Sequence, residues 1–316
     1  DVANNINKVA VIGTGVIGVG WIIRCLAHNK KVIAFDKDIK LKKKLVAEIK
    51  RTWPYVKKLF NKKKLNLKNF KYVTSIEEAL GEVDFIQECA TENYRIKTKL
   101  MRIIGKYAKP NAIISSSSSG LLPTRIYSKC KNPARTMIGH PFNPVYMCPG
   151  VEIVPGKKTK KIFLNKANKF YKSISMNPIM VKKELPGYLA DRLQEALWRE
   201  ALHIVNEGYA STKDLDRSIE DGPGLRWSLM GIFLTYHLAG GKAGMKHMLE
   251  QFGPALKLPW TKLIAPKLSK KLSSRVITGT RQQAKGKSVA MISNIRDEYL
   301  VNLQKLRKKY ENKIRK

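Results

Sequence analysis

The feature that most constrains the fold is a glycine triplet set between a strand and a helix. Residues 8–12 form a short apolar run, Lys-Val-Ala-Val-Ile; Gly13, Gly15 and Gly18 follow, and the apolar stretch 16–28 is long enough for a helix. Each glycine has a physical task in such a turn. Gly13 permits the tight bend, Gly15 lets the backbone approach a ligand, and Gly18 allows the helix to pack closely against the strand. The start of the helix at Gly15, Val16 and Ile17 then offers N–H groups and a positive dipole end to an anion. A second apolar run at 31–35 ends in Asp36, about 20 residues beyond the glycines. Strand, glycines, helix, strand and terminal acid in this order point to a dinucleotide, with its pyrophosphate at the glycines and a ribose at Asp36. A carboxylate there repels the extra phosphate of NADP and favours NAD; Lys37 softens that preference.

The rest of the first half keeps the same alternation. Strand-like runs recur at 83–88, 112–116, 151–154 and 179–182, separated mostly by helical patterns such as 40–60, 94–107 and 161–175. Alternating strands and helices with near-continuously apolar strands predict a parallel sheet covered on both faces. After Pro186-Gly187 the texture changes. Helical spacing runs through 188–207, 215–219, 227–238 and 289–310, and no convincing strand remains. The expected class is therefore α/β: a Rossmann-type doubly wound sheet over 1–185, followed by an all-α domain over 186–316.

Composition narrows the function classes. Of 316 residues 43% are hydrophobic, which excludes a disordered basic tail. No apolar run approaches the roughly 18–20 residues of a membrane span. The first residues lead straight into a strand without the regions of a signal peptide, so a cytoplasmic protein is expected. Cys25, Cys89, Cys130 and Cys148 are far apart, which argues against a zinc site and for free thiols; no metal is expected. The formal net charge of +37 is extreme. Because the basic residues are spread along the chain and mostly interrupt amphipathic helices, the charge reads as a solvated face, with non-specific polyanion binding as its expected consequence.

Two further stretches carry chemistry. His140 sits in Ile-Gly-His-Pro-Phe-Asn-Pro, a turn-rich segment, and Glu152 lies in the apolar run Val-Glu-Ile-Val. A lone histidine is more often structural. A carboxylate in an apolar strand, however, is costly without a partner. If His140 is that partner, Glu152 fixes its tautomer and stabilises its cation, as an acid orients a catalytic base. The serine run 115–119, followed by Gly120, is equally readable as a polar loop. There is no Gly-x-Ser-x-Gly elbow, which disfavours a serine hydrolase.

Taken together, the three glycines, Asp36, Glu92 with Lys97, Ser119, His140-Pro-Phe-Asn-Pro, Glu152 and Pro186-Gly-Tyr-Leu-Ala-Asp-Arg192 resemble the 3-hydroxyacyl-CoA dehydrogenase superfamily. Within it, Glu195-Ala-Leu-Trp-Arg-Glu-Ala201, Gly224-Leu-Arg-Trp227 and Leu258-Pro-Trp-Thr-Lys262 are similar to the carnitine-oxidising members. The resemblance covers essentially the whole chain, although the lysine-rich helix faces do not look like the family. It implies a two-domain enzyme, usually a homodimer, that oxidises the 3-hydroxyl of L-carnitine with NAD. By the same resemblance His140 is the general base, Glu152 orients it, Ser119 meets the reacting oxygen, and Glu92 and Lys97 contact the nicotinamide-side ribose.

One position departs from the acyl-CoA pattern: Asp191 stands where those enzymes carry Asn. A carboxylate there suits a substrate with a cationic end, or it makes an ion pair between domains. Arg226 is the candidate for the substrate carboxylate, since a guanidinium binds it bidentately. Trp198 and Trp227, with Tyr188, Phe233 and Tyr236 nearby, are candidates to hold a trimethylammonium by cation–π contact, although aromatics at helical spacing more often form core. The alternatives are an L-gulonate or 3-hydroxyacyl-CoA dehydrogenase on the same fold and, outside enzymes, a cationic scaffold that binds nucleic acid non-specifically.

Overall fold

In the computed structural model of the chain, the described residues are 6–60, 64–227, 230–261, 269–289, 291, 292, 295 and 306. The chain divides into two compact units, Asp1–Gln194 and Glu195–Lys316. The first opens with β1 (Lys8–Ile12), α1 (Val16–Ala27), β2 (Lys31–Phe35), α2 (Leu41–Leu59), β3 (Phe70–Val73), α3 (Ile76–Leu80) and β4 (Phe85–Glu88). It continues with α4 (Tyr94–Tyr107), β5 (Ile113–Ser116), α5 (Pro123–Ile126), β6 (Thr136–Pro141), β7 (Gly150–Pro155), α6 (Lys161–Ser173) and β8 (Asn177–Met180). From α7 (Ala190–Asn206) onward the elements are helical. They are α8 (Thr212–Glu220), α9 (Gly224–Trp227), α10 (Ile232–Ala239), α11 (Met245–Phe252) and α12 (Lys270–Ala284), and no strand occurs there among the described residues.

The strands form one eight-stranded sheet in the order β3-β2-β1-β4-β5-β6-β7-β8. Side chains alternate between its faces, so each strand feeds two cores. Val9, Val11, Phe85 and Ile113 join Trp21, Ile22 and Phe170 on one face. Ala10, Ile12, Ile86 and Ile114 join Met101 and Ile104 on the other. This two-sided burial explains why β1 and β4 read as continuous apolar runs. The doubly wound sheet followed by helices is the expected class.

Three local readings are corrected. The sheet is not parallel throughout: β7 runs antiparallel to β6. The segment around His140 is strand, not turn, because Thr136–Pro141 pairs with β5 on one side and β7 on the other. Pro141 is tolerated there because β5 pairs only as far as Ile138, so at Pro141 the strand has a neighbour on one side alone. The helix expected over 227–238 is divided, since Gly231 is extended and caps α10. The edge strand β3 lay outside the expectations, and the pattern at 289–310 falls mostly outside the described residues.

A buried arginine ties α1 to the segment that joins β6 to β7. Arg24 is fully buried, and its guanidinium donates to the carbonyls of Val145 (2.7 Å), Ile174 (3.1 Å), Ser175 (3.0 Å) and Cys148 (3.0 Å). Arg24→Met is expected to lower stability by about 3 kcal/mol or more, because those buried carbonyls lose their donors. Urea denaturation reads this directly; an unchanged midpoint would mean that the guanidinium is dispensable.

Candidate active site

The glycine turn is built as its spacing requires. Gly13 has φ +103°, and a Cβ on it would lie 2.9 Å from the Cys89 carbonyl oxygen. A Cβ on Gly18 would lie 2.0 Å from the Gly13 oxygen, so close contact of helix and strand excludes any side chain. Gly15 differs: nothing lies within 4 Å of where its Cβ would be. It is the N-cap of α1, which has no side-chain cap, and Val16 beyond it is 71% exposed. An open glycine cradle at an uncapped helix start fits a pyrophosphate. Asp36, just past β2, holds this turn in place. Its Oδ2 accepts from the Thr14 backbone N–H (3.1 Å) and hydroxyl (2.8 Å).

A second buried construction lies beyond β4. Lys97 and Glu88 are both fully buried, with Nζ 2.8 and 3.0 Å from the two carboxylate oxygens and 2.9 Å from the Ala90 carbonyl. An ammonium has three donors, and each meets a protein acceptor. Glu88 also accepts from Ala90 N–H (2.6 Å) and the Ser116 hydroxyl (2.5 Å). Glu92 stands 3.6 Å from the same Nζ. Its Oε1 gathers the turn after β5, accepting from the Ser118 hydroxyl (2.6 Å), Ser119 N–H (3.0 Å) and Gly120 N–H (3.3 Å). Lys97 therefore holds Glu88 and Glu92, and Glu92 holds Ser119. Thiol chemistry is disfavoured here: burial pushes Cys25 and Cys89 up to about 12 and Cys130 up to about 11.

The antiparallel pairing of β6 with β7 sets His140 directly opposite Glu152. Residues in such register share a face, so the two side chains meet. His140 Nδ1 lies 2.8 Å from Glu152 Oε2, and both residues are buried. A carboxylate only accepts, so Nδ1 carries the proton and the neutral ring leaves Nε2 as an acceptor. Glu152 Oε1 accepts from the N–H groups of Leu189 (3.0 Å) and Ala190 (3.1 Å) at the start of α7. One carboxylate thereby fixes both the imidazole and the helix that brings Asp191 to 3.8 Å from Nε2. Phe142 and Tyr188 pack around the ring, with centroids 5.2 and 5.7 Å away. Tyr188 donates to the Leu121 carbonyl (2.6 Å), and burial pushes its phenol well above its ordinary range. An oriented imidazole with a free acceptor nitrogen suits proton abstraction.

Family models match both parts of the chain. The model of the 3-hydroxyacyl-CoA dehydrogenase NAD binding domain matches residues 8–185, and that of the 3-hydroxyacyl-CoA dehydrogenase C-terminal domain matches residues 187–279. The chain belongs to the 3-hydroxyacyl-CoA dehydrogenase family. It is a dehydrogenase, and its cofactor is NAD. It is 49% identical to an L-carnitine dehydrogenase of Oceanobacillus iheyensis over 94% of this chain and 96% of that one. The L-carnitine dehydrogenase of Pseudomonas aeruginosa is 47% identical over 94% and 92% of the two chains. Among solved structures, the 3-hydroxyacyl-CoA dehydrogenase of Archaeoglobus fulgidus shares the fold at a TM-score of 0.71 and 21% identity, covering 96% of this chain and 99% of that one.

Within this dehydrogenase, Gly13, Gly15, Gly18, Asp36, Glu92, Lys97, Ser119, His140, Glu152 and Asp191 all belong to the first unit. Trp198, Arg226 and Trp227 belong to the second. Trp198, on α7, is 59% exposed and Trp227, at the end of α9, is 36% exposed. Arg226 Nε is buried without a hydrogen-bond partner. Sequence reasoning missed Thr14, Glu88 and Ser118. Glu88 carried a usable signal, an acid closing the apolar run Phe-Ile-Gln-Glu.

The Lys97–Glu88 pair makes a sharp test. Lys97→Met leaves a buried carboxylate without its cation and is expected to cost about 3–5 kcal/mol. Adding Glu88→Gln should restore most of that loss in a urea melt. A double variant as unstable as the single one would show that the pair does not govern stability.

Proposed function

We propose that the chain oxidises the 3-hydroxyl of L-carnitine to the 3-ketone with NAD. The near-full-length identity to L-carnitine dehydrogenases carries the choice of substrate. NAD, when bound, supplies the hydride acceptor. The turn of Gly13, Gly15, Val16, Ile17 and Gly18 receives the pyrophosphate, and Asp36 accepts from the adenosine ribose. Glu92 reaches the nicotinamide-side ribose while Lys97 holds Glu92 in position. His140 Nε2 takes the hydroxyl proton as the bond from hydrogen to C3 is given up. Glu152 keeps Nδ1 protonated and stabilises the imidazolium that results. The Ser119 hydroxyl donates to the reacting oxygen as it becomes a carbonyl.

Recognition of the two charged ends follows from their chemistry. A trimethylammonium has no hydrogen to donate, so it calls for a carboxylate, for which Asp191 is the candidate, and for aromatic faces, for which Trp198 and Trp227 are the candidates, at about 0.5–2 kcal/mol per cation–π contact. Arg226 binds the carboxylate. Asp191 also argues against an acyl thioester, which offers no cation. No helix among the described residues is long and apolar enough to cross a membrane. We read the protein as a cytoplasmic homodimer joined through the helical unit, where Leu197, Phe233 and Tyr236 are exposed.

The test is NADH formation with L-carnitine beside D-carnitine, L-gulonate and 3-hydroxybutyryl-CoA. Turnover is expected with L-carnitine alone, and His140→Gln should lower kcat by about 10³-fold while NADH binding changes less than about twofold. Turnover only with L-gulonate or the CoA ester would overturn the substrate. Activity that survives His140→Gln would overturn the base.

A further inference from the structure

The basic residues are not spread evenly over the surface. Between Glu92 and Glu152 the sequence contains no acidic residue at all. Helix α4 lies in this interval and is amphipathic in an unusual sense. Lys97, Met101, Ile104 and Gly105 are buried against the sheet, while Arg95, Lys99, Arg102 and Lys106 are exposed. Those four recur at i, i+4, i+7 and i+11, so they form one straight ridge of charge about 16 Å long.

A second basic edge faces that ridge. Arg125, on α5, and Lys129, just beyond it, join α4 in lining a concavity of about 490 Å³ with Tyr94 at its end. A neighbouring concavity of about 600 Å³ continues along Arg102 and Lys106, again with Lys129 opposite. Glu77 is the acid that lines this second stretch. Among the described residues, none of the six cations is within ion-pair distance of a carboxylate. The Arg125 guanidinium instead lies over the Tyr94 ring, 3.9 Å from its centroid. Neither concavity includes a residue of the His140 site.

We propose that this groove binds single-stranded nucleic acid. Two rows of cations with spacings of about 5–6 Å along α4 suit a chain of phosphates. The guanidinium planes and the Tyr94 ring suit stacked bases. A membrane surface fits less well, because such sites are convex and insert apolar side chains beside the charges, whereas this one is concave and lined mainly by polar and charged side chains. A duplex keeps its bases in its own stack, so it could meet the cations but not stack a base on the Tyr94 ring.

The test compares two triple variants of equal charge change in the full chain. One carries Lys99→Glu, Arg102→Glu and Lys106→Glu on α4; the other carries Lys161→Glu, Lys169→Glu and Lys172→Glu, exposed lysines of α6 that line neither concavity. Binding is read by fluorescence anisotropy with a labelled single-stranded RNA of about 12 nucleotides, its duplex, and phosphatidylglycerol vesicles. The α4 variant should lose at least about tenfold in single-strand affinity, and the slope of log K against log salt should fall by about 2. The α6 variant should stay within about threefold, and the parent should prefer the single strand to the duplex. NADH binding by both variants checks folding, and Gln at the three α4 positions should give a smaller loss in the same direction. Equal losses in the two variants, equal binding of the duplex, or vesicle binding without RNA binding would overturn the proposal.

Discussion

The carboxylate of Glu152 is the contact on which the site depends. It is fully buried, and leaving such a charge without partners would be prohibitive. Its two oxygens point to different parts of the chain: one to His140, the other to the first N–H groups of α7. Hydrogen bonds to an ionised acceptor are roughly twice as strong as neutral ones, so the imidazole and the helix start are held firmly. The arrangement works only in one register. A slip of one residue between β6 and β7 would turn His140 to the opposite face of the sheet. The reversal of β7 is thus what brings Glu152 to His140.

The nucleotide side is held by the same physical device. Glu88 closes β4 as a buried carboxylate, and Lys97 returns from α4 to meet it. Around this pair the sheet order changes direction: β2 and β3 lie to one side of β1, β4 and β5 to the other. In open α/β sheets ligands collect outside the carboxyl ends of the strands at such a switch point. Gly13, Asp36, Glu88 and the serine turn all stand there, at the ends of β1, β2, β4 and β5. Two buried acids, each fully partnered, therefore fix the two halves of the candidate site within one unit.

Much of this was legible from residue order. The glycine turn, Asp36 and the Glu152–His140 partnership followed from steric need and from the cost of a carboxylate in an apolar strand. The same argument applied to Glu88 would have found the Lys97 pair. What stayed hidden depends on contacts across sequence. Gly139 and Pro141 give β6 the composition of a turn, and only pairing with β5 and β7 makes it a strand. β3 alternates Phe-Lys-Tyr-Val at the sheet edge, too short a run to stand out. The clustering of charge on α4 was masked by the high lysine content elsewhere, since a ridge is visible only when helix phase and the facing segment are known together.

Glu152 sets the tautomer of His140 by accepting from its Nδ1. NMR of the ring nitrogens in protein labelled at histidine, at a pH where the ring is neutral, tests it most directly. A protonated Nδ1 and a bare Nε2 are expected in the parent, with loss of that preference in Glu152→Gln. A proton on Nε2 in the parent would contradict it, because that nitrogen would then have no lone pair with which to take a proton.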